Sequence, residues 1–221
     1  MSDFKRARSA DAKRSREAAI LDAAKLLAIR DGVLSATLTG IAKETGMHKS
    51  AMLRYFETRE LIFLRLASQQ WAEWGPAVSH AIEEATNADD VGSAIAATLT
   101  ERPLFCDLLG HVPLSLERNV SVDSVRAFKS VTHVEVDRIS SSLIGVFPEL
   151  VEQDGIDVIS TAISTAGSMW QMSTPGDVLA EVYRNEPGLA HAIVDLQPTL
   201  ARIISALITG LRTARRASPD A

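Results

Sequence analysis

Two short helical patterns separated by a glycine occupy residues 37–56, which read TLTGIAKETGMHKSAMLRYF. The first pattern ends at Gly46, and about three residues separate it from the second. Ile41 lies on the apolar side of the first pattern, and Met52 and Phe56 lie on the apolar side of the second. Two short helices joined in this way are typical of a helix-turn-helix, so we expect the fold to contain this unit.

The rest of the chain also has helical spacing, and no turn dipeptide is flanked by the alternating apolar residues of a β-hairpin. We therefore expect an all-α fold in two parts. Residues 1–60 would form a basic arm and a three-helix helix-turn-helix domain, and residues 61–221 a second helical domain. A fourth helix is expected to begin after Thr58 and to stop at Gly75-Pro76. The other expected helices span residues 12–30, 90–99, 103–109, 122–146, 153–172 and 197–215.

The charge is distributed unevenly along the chain. Residues 1–60 carry a net charge of +4, whereas residues 61–221 carry −9, within a total of −5. A basic N-terminal quarter on an acidic protein predicts a polyanionic partner, although a solvated basic tail would give the same count. The first residues would form either an arm along DNA or a disordered tail, and their cations are Lys5, Arg6, Arg8, Lys13, Arg14 and Arg16.

The second helix of the unit is expected to expose one polar side. Docking of Met52 and Phe56 would direct Lys49, Ser50, Leu53 and Arg54 outward. Arginine can bind a guanine edge with two hydrogen bonds and serine can bind several bases, whereas contacts to phosphates position a protein without reading sequence. This side is therefore predicted to enter a major groove.

Residues 20–64 resemble the N-terminal domain of the TetR (tetracycline-repressor) family of bacterial transcription regulators. The matching pieces are ILDAAKLLAIRDG, TLTGIAKETGMHKSAMLRYF and ETRELIFLRL, in the order and spacing of the family. The resemblance implies a three-helix DNA-binding domain and a C-terminal domain for ligand binding and dimerisation. It also implies a homodimer, formed through helices near residues 153–172 and 197–215. That dimer would be a ligand-responsive repressor of a palindromic double-stranded DNA operator, with an unknown small-molecule effector.

The resemblance also assigns DNA contacts by position. Thr37, Tyr55 and Arg59 fall where the family contacts the phosphate backbone. From the residues alone, Thr37 could be only a helix cap, Tyr55 only a packing residue and Arg59 only a solvated residue. The sequence departs from the family at His48, where serine is usual, and at Leu53, where tyrosine is usual. The expected DNA-binding residues are Thr37, Thr39, His48, Lys49, Ser50, Ala51, Arg54, Tyr55 and Arg59.

The second domain contains most of the scarce aromatic residues, together with two histidines of interest. Such residues could line a pocket for an apolar or aromatic effector that carries a polar group, although ordinary core packing would also explain them. The histidine spacing matches no metal motif, so no metal and no cofactor are expected. The candidate ligand-binding residues are Trp71, Trp74, Phe105, His111, Phe128, His133, Met169 and Trp170.

No nucleophile, acid–base or phosphate-binding motif is present, so the sequence does not predict an enzyme. The alternative function is an all-α small-molecule sensor or carrier with weak or no specific DNA binding. No apolar run reaches the length of a membrane span, and the basic N-terminus lacks the apolar region of a signal peptide. A cytoplasmic protein without a membrane partner is therefore expected.

Overall fold

The computed structural model describes residues 2–192 and 195–217, with side chains in 11–190 and 195–217. The part of the chain described is helical and contains no strand, which confirms the expected all-α fold. A one-turn π-helix and a 3₁₀ segment accompany ten α-helices. The α-helices are α1 (Ser2–Asp31), α2 (Leu38–Glu44), α3 (Lys49–Met52), α4 (Arg59–Glu83), α5 (Ala88–Thr100), α6 (Pro103–His111), α7 (Val122–Val146), α8 (Glu152–Ser173), α9 (Asp177–Asn185) and α10 (Leu196–Ala217); the π-helix is Val112–Leu116 and the 3₁₀ segment is Pro187–Ala192.

Local sequence signals define the ends of the first four helices. The Thr37 hydroxyl accepts a hydrogen bond from the backbone N–H three residues later and caps α2, and Thr58 caps α4 in the same way. Gly32 and Gly46 have φ values of +83° and +64°, in the left-handed region that glycine adopts without steric cost. The turns after α1 and α2 therefore follow directly from the sequence.

The predicted stop at Gly75-Pro76 is wrong, because α4 continues to Glu83. Trp74 and Val78 lie fully buried on either side of Pro76, and Pro76 itself is exposed. A Cβ atom on Gly75 would overlap the carboxylate of Glu135, so the glycine allows α7 to pack closely against α4. Burial of this continuous apolar face outweighs the backbone hydrogen bond that proline cannot donate.

Three aromatic rings form the centre of the second domain. Trp71 lies edge-on to Trp74 with ring centroids 5.4 Å apart, and edge-on to Phe105 at 5.6 Å. Each such pair contributes about 0.5–1.5 kcal/mol beyond its buried area. The cluster joins α4 to α6 and positions the wall of the cavity described below.

The N-terminal end of α8 is joined to the C-terminal end of α10 by ion pairs. Asp154, whose side chain is only 4% exposed, receives hydrogen bonds of 2.9 and 3.1 Å from Arg215. These hydrogen bonds lower the pKa of Asp154 below its ordinary value. Glu149 beside it accepts from Arg212 and Arg216, and these contacts lower its pKa to about 2. Helices α8 and α10 therefore run in opposite directions with their ends held together.

Helix α9 was not predicted, and none of its residues is buried. Its apolar residues lie at the surface, where Val178 is 81% exposed. Within residues 2–192 and 195–217, no helix combines the length and apolar character that crossing a bilayer requires.

We predict that Asp154→Asn lowers the free energy of unfolding by about 2 kcal/mol near neutral pH, because it removes the ion pair between Arg215 and a largely buried carboxylate. The pKa of Asp154 is lower in the folded than in the unfolded chain. Its contribution is therefore present above pH 3.8, the ordinary value, and is lost as the pH falls through the folded value. Urea unfolding of both proteins should show a difference that shrinks below that pH.

Asp157→Asn is the matched control, since Asp157 is exposed on the same helix and, among the described residues, accepts only from Gln153, at 2.8 Å. An equal loss of stability in the control, or a difference that does not depend on pH, would contradict the assigned role of Asp154.

Candidate nucleic-acid interface and cavity

Helix α3 has one buried side and one exposed side. Met52 is fully buried and Phe56, just after the helix, is 4% exposed. Both pack in the same core cluster as Ile41 and Ala42 of α2. The predicted division of α3 is therefore present, and its exposed residues are Lys49, Ser50, Leu53 and Arg54, with His48 just before them.

The cations on this exposed side have no intramolecular partner among the described residues. Neither Lys49 nor Arg54 forms an ion pair there, so both charges face solvent. His48 occupies the N-cap position of α3, but its imidazole makes no capping hydrogen bond. Three basic or potentially basic side chains thus remain available at one end of the molecule.

The other predicted contact residues differ in exposure. Thr37 and Thr39 are exposed at the start of α2, although the Thr37 hydroxyl also caps the helix at 3.0 Å. Ala51 and Tyr55 are half-buried, and Tyr55 packs against the hydrophobic core. Thr37 therefore has its capping role whatever else it binds, and Tyr55 has a packing role.

Arg59 is bound inside the domain. Its Nε donates to the Ala36 carbonyl at 2.6 Å, and Nη2 donates to the Val33 carbonyl. The guanidinium also lies 4.5 Å from the centroid of the Phe63 ring. These contacts fix the loop between α1 and α2, so the geometry supports a role in folding where sequence reasoning placed a phosphate contact.

A cavity of about 640 Å³ that opens to solvent lies between α4, α7, α8 and the junction of α6 with the π-helix. Two of the candidate ligand-binding residues, Trp71 and Phe128, line it. Its polar atoms come from hydroxyl and amide side chains and from the Glu117–Lys129 ion pair, whose atoms lie 2.7 Å apart. The other apolar lining residues are Leu109, Val112, Pro113, Leu114, Val136, Ile163 and Met172.

The remaining ligand candidates do not line this cavity. Trp74 and Phe105 lie behind Trp71, and the Trp74 indole donates to Thr98 at 3.1 Å. Met169 is half-buried against the core. Core packing, the alternative that the sequence left open, describes the positions of these three residues, and ligand binding by them stays a prediction.

The two histidines also lie elsewhere. The His133 side chain is 75% exposed and lies 3.3 Å from Asp137, so it faces solvent. His111 and Trp170 line a second crevice of about 650 Å³, between residues 28–35 and the α6 and α8 helices. Neither histidine lines the 640 Å³ cavity, and ligand binding by either residue stays a prediction.

Sequence reasoning did not identify Asp107, which links both domains. Its Oδ2 accepts from the Val33 backbone N–H at 2.7 Å, and its Oδ1 accepts from Gln171 Nε2 at 2.8 Å. His111 Nε2 lies 3.3 Å from Oδ1. Burial raises the pKa of Asp107, but the hydrogen bonds from His111, Val33 and Gln171 outweigh it and the pKa is lowered. A lone aspartate in the apolar run PLFCDLLGH was the available signal.

A second carboxylate also links the domains. Glu57, in the turn before α4, accepts from the backbone N–H of Ser121 at 2.8 Å and from the Ser124 hydroxyl at 3.2 Å. Both bonds are exposed, unlike those of Asp107. The first domain is thus hydrogen-bonded to α6 through a buried carboxylate and to the start of α7 through an exposed one.

Two family models match the chain: "Bacterial regulatory proteins, tetR family" over residues 20–66, and "Tetracyclin repressor-like, C-terminal domain" over residues 68–215. Comparison with curated proteins found no match. One similar solved structure is FadR from Thermus thermophilus, described as a TetR family transcriptional repressor in complex with lauroyl-CoA. It is 19% identical and has a TM-score of 0.53, with 80% of this chain and 95% of that chain covered. The fatty acid degradation regulator FadR from Bacillus halodurans is 15% identical with a TM-score of 0.55, and 87% and 98% are covered.

We predict that Arg59→Gln lowers the free energy of unfolding by about 2 kcal/mol, because two backbone carbonyls lose a charged donor. Arg65→Gln is the matched control, since Arg65 is exposed on the same helix. The dependence of DNA affinity on salt should be unchanged by Arg59→Gln. A decrease of about 0.9 in the slope of log K against log salt would instead support the phosphate contact that the sequence predicts for Arg59.

Proposed function

Because the chain belongs to the TetR family of bacterial transcription regulators, we propose that it is a homodimeric repressor that binds a palindromic DNA operator and releases it when a small apolar effector binds. Its DNA-binding domain comprises α1 to α3, and the rest of the chain forms the effector-binding and dimerisation domain. Since its target is bacterial DNA, its place of action is the cytoplasm.

The observation that carries the DNA-binding part of the proposal is the exposed side of α3. Lys49 and Arg54 project from a helix whose opposite side is fixed by Met52 and Phe56. A buried underside holds these cations in place without neutralising them. Arg54 is assigned to base readout, and Lys49 to a phosphate or a base. Thr39, Ser50, Ala51 and His48 are assigned to neighbouring contacts, with Thr37 and Tyr55 near the backbone.

The proposed dimer forms through α8 and α10. Ile203, Leu207 and Leu211 form a half-buried apolar edge along α10, next to the face that packs inside the protomer. Gly210 lies beside this edge, and a Cβ atom added to it would have no neighbour within 4 Å. A second copy related by a two-fold axis would place the same edge of its own α10 against this one. Each protomer would then cover the edge of the other, as in an isologous interface. The two α3 helices would then lie about 34–36 Å apart, one turn of DNA.

The effector is proposed to bind in the 640 Å³ cavity. Trp71 and Phe128 supply aromatic walls, and Thr132, Ser168 and Gln171 supply a few polar atoms. The one charged pair at the cavity, Glu117 with Lys129, is already neutralised by its own contact. This favours an uncharged apolar molecule with one or two hydrogen-bonding groups over a multiply charged one.

Selection of duplexes from a random pool with the full chain tests the DNA-binding proposal. We predict that Arg54→Ala weakens binding to the selected operator about tenfold or more and relaxes the base preference at one position.

If Lys49 binds a phosphate, Lys49→Ala should weaken binding to all sequences and reduce the salt slope by about 0.9. Arg184→Ala is the control, because Arg184 is exposed on α9, away from α3. Failure to enrich any sequence would favour the alternative of a sensor or carrier.

For the dimer, we predict that Leu207→Glu converts the protein to a monomer, because it places a charge in the apolar edge. Operator binding should weaken in parallel, since one protomer reads only one half-site. Thr209→Glu, exposed on another side of α10, should remain dimeric. Analytical ultracentrifugation gives the mass of each variant, and a dimeric Leu207→Glu protein would refute this interface.

A further inference from the structure

The peptide groups on the two sides of Val33 are held by different domains. The Val33 N–H donates to Asp107 on α6, whereas its carbonyl accepts from Arg59 on α4. Val33 is 1% exposed and lies four residues before the cap of α2. A shift of α6 relative to α4 must therefore either rotate the Val33 peptide or break one of its hydrogen bonds. Either change would move the chain that leads into α2 and α3.

Asp107 also contacts the wall of the cavity. Its second oxygen accepts from Gln171, and the Gln171 side chain lines the cavity. Gly110 and Val112 line the cavity on the α6 side. They lie within about one and a half helical turns of Asp107, on the same helical stretch. The carboxylate therefore touches the cavity wall through one oxygen and the DNA-binding domain through the other.

The helix changes from α-helical to π-helical geometry at the junction after α6. The backbone N–H of Glu117 donates to the Val112 carbonyl at 3.3 Å, which is the spacing of a π-helix turn. Such turns are rare inside helical segments and occur frequently at functional sites. Val112, Pro113 and Leu114 of this turn line the cavity, and Leu114 is 64% exposed. A molecule that enters the cavity thus meets a weakly covered segment directly joined to the helix that carries Asp107.

We propose that Asp107 is the positioning residue through which occupation of the cavity changes the placement of the DNA-binding domain. The inference rests on the proposed function for the cavity and the operator, and it adds the residue that couples them. The Val33–Asp107 hydrogen bond is buried, whereas both hydrogen bonds of Glu57 are exposed, and a hydrogen bond to a carboxylate is stronger where water is excluded. Asp107 therefore carries most of this coupling, and Glu57 carries little.

A cavity-filling substitution replaces the unidentified effector in the test. Thr132 lies between Phe128 and Val136 on α7, and all three side chains line the cavity. Thr132→Phe adds an aromatic ring to this space. Ser130→Phe is the matched control, because Ser130 is exposed on the same helix. The affinity of the full-length protein for its selected operator is measured for Thr132→Phe, for Asp107→Asn and for the double variant.

We expect Thr132→Phe to weaken operator binding about tenfold or more in the wild-type background and less than about threefold in the Asp107→Asn background. Ser130→Phe should leave the affinity unchanged. Glu57→Gln, which removes the charge of the exposed link, should retain the full effect of Thr132→Phe. An undiminished effect in Asp107→Asn would overturn the inference and leave the proposed function standing, since coupling would then pass through α4. No effect of Thr132→Phe in the wild-type background would overturn the regulatory part of the proposed function and the inference with it.

Two further measurements separate positioning from a loss of folding. In Asp107→Asn, hydrogen exchange of the Val33 amide should accelerate about tenfold or more, while exchange at the Ile41 amide in α2 stays unchanged. Gln171→Met keeps the Val33–Asp107 bond but removes the donor on the cavity side, so it should also reduce the effect of Thr132→Phe. Equal acceleration at both amides, together with a full Thr132→Phe effect in Gln171→Met, would overturn the role of Asp107.

Discussion

The rest of the structure depends on the unbroken packing of α4. The first turn of this helix carries Arg59, which holds the loop before α2, and its middle carries Trp71, which is both core and cavity wall. Its last turns, beyond Pro76, pack against α7. One helix therefore belongs to both domains. The close packing of α4 against α7 could not form if α4 ended at Gly75-Pro76, where proline is usually a stop.

Local chemistry explains the parts of the fold that could be predicted. The caps at Thr37 and Thr58 and the turn at Gly46 depend on residues a few positions apart, so sequence alone specifies them. The exposed side of α3 follows from the same local spacing. Continuation of α4 through Pro76 could not be predicted, because it depends on a face of α7 about sixty residues away. Helix α9 was missed because it packs against little of the core.

The candidate site shows the same distinction between local and distant causes. The exposure of Lys49 and Arg54 could be predicted from spacing, and neither side chain forms an ion pair within the part of the domain that the structure describes. Arg59 comes just after the same motif in the sequence. The loop carbonyls that it binds, however, come close to its guanidinium only in the folded domain. Asp107 is a similar case, because the two groups that its oxygens accept from are 74 and 64 residues away in sequence. Charged side chains that act between elements are the ones that sequence spacing cannot place.

The close contact between α6 and α8 has a consequence for how such a cavity can diversify. A Cβ atom on Gly167 would lie 2.7 Å from the Gly110 nitrogen, so the two backbones touch with no side chain between them. Mutation cannot trim a side chain at this crossing, and any enlargement would force the helices apart. New ligand preferences would therefore arise on the opposite wall, along Phe128, Thr132 and Val136, where side chains can be exchanged without moving the backbone. The packing of the helices can therefore stay the same while the side chains that face the cavity change.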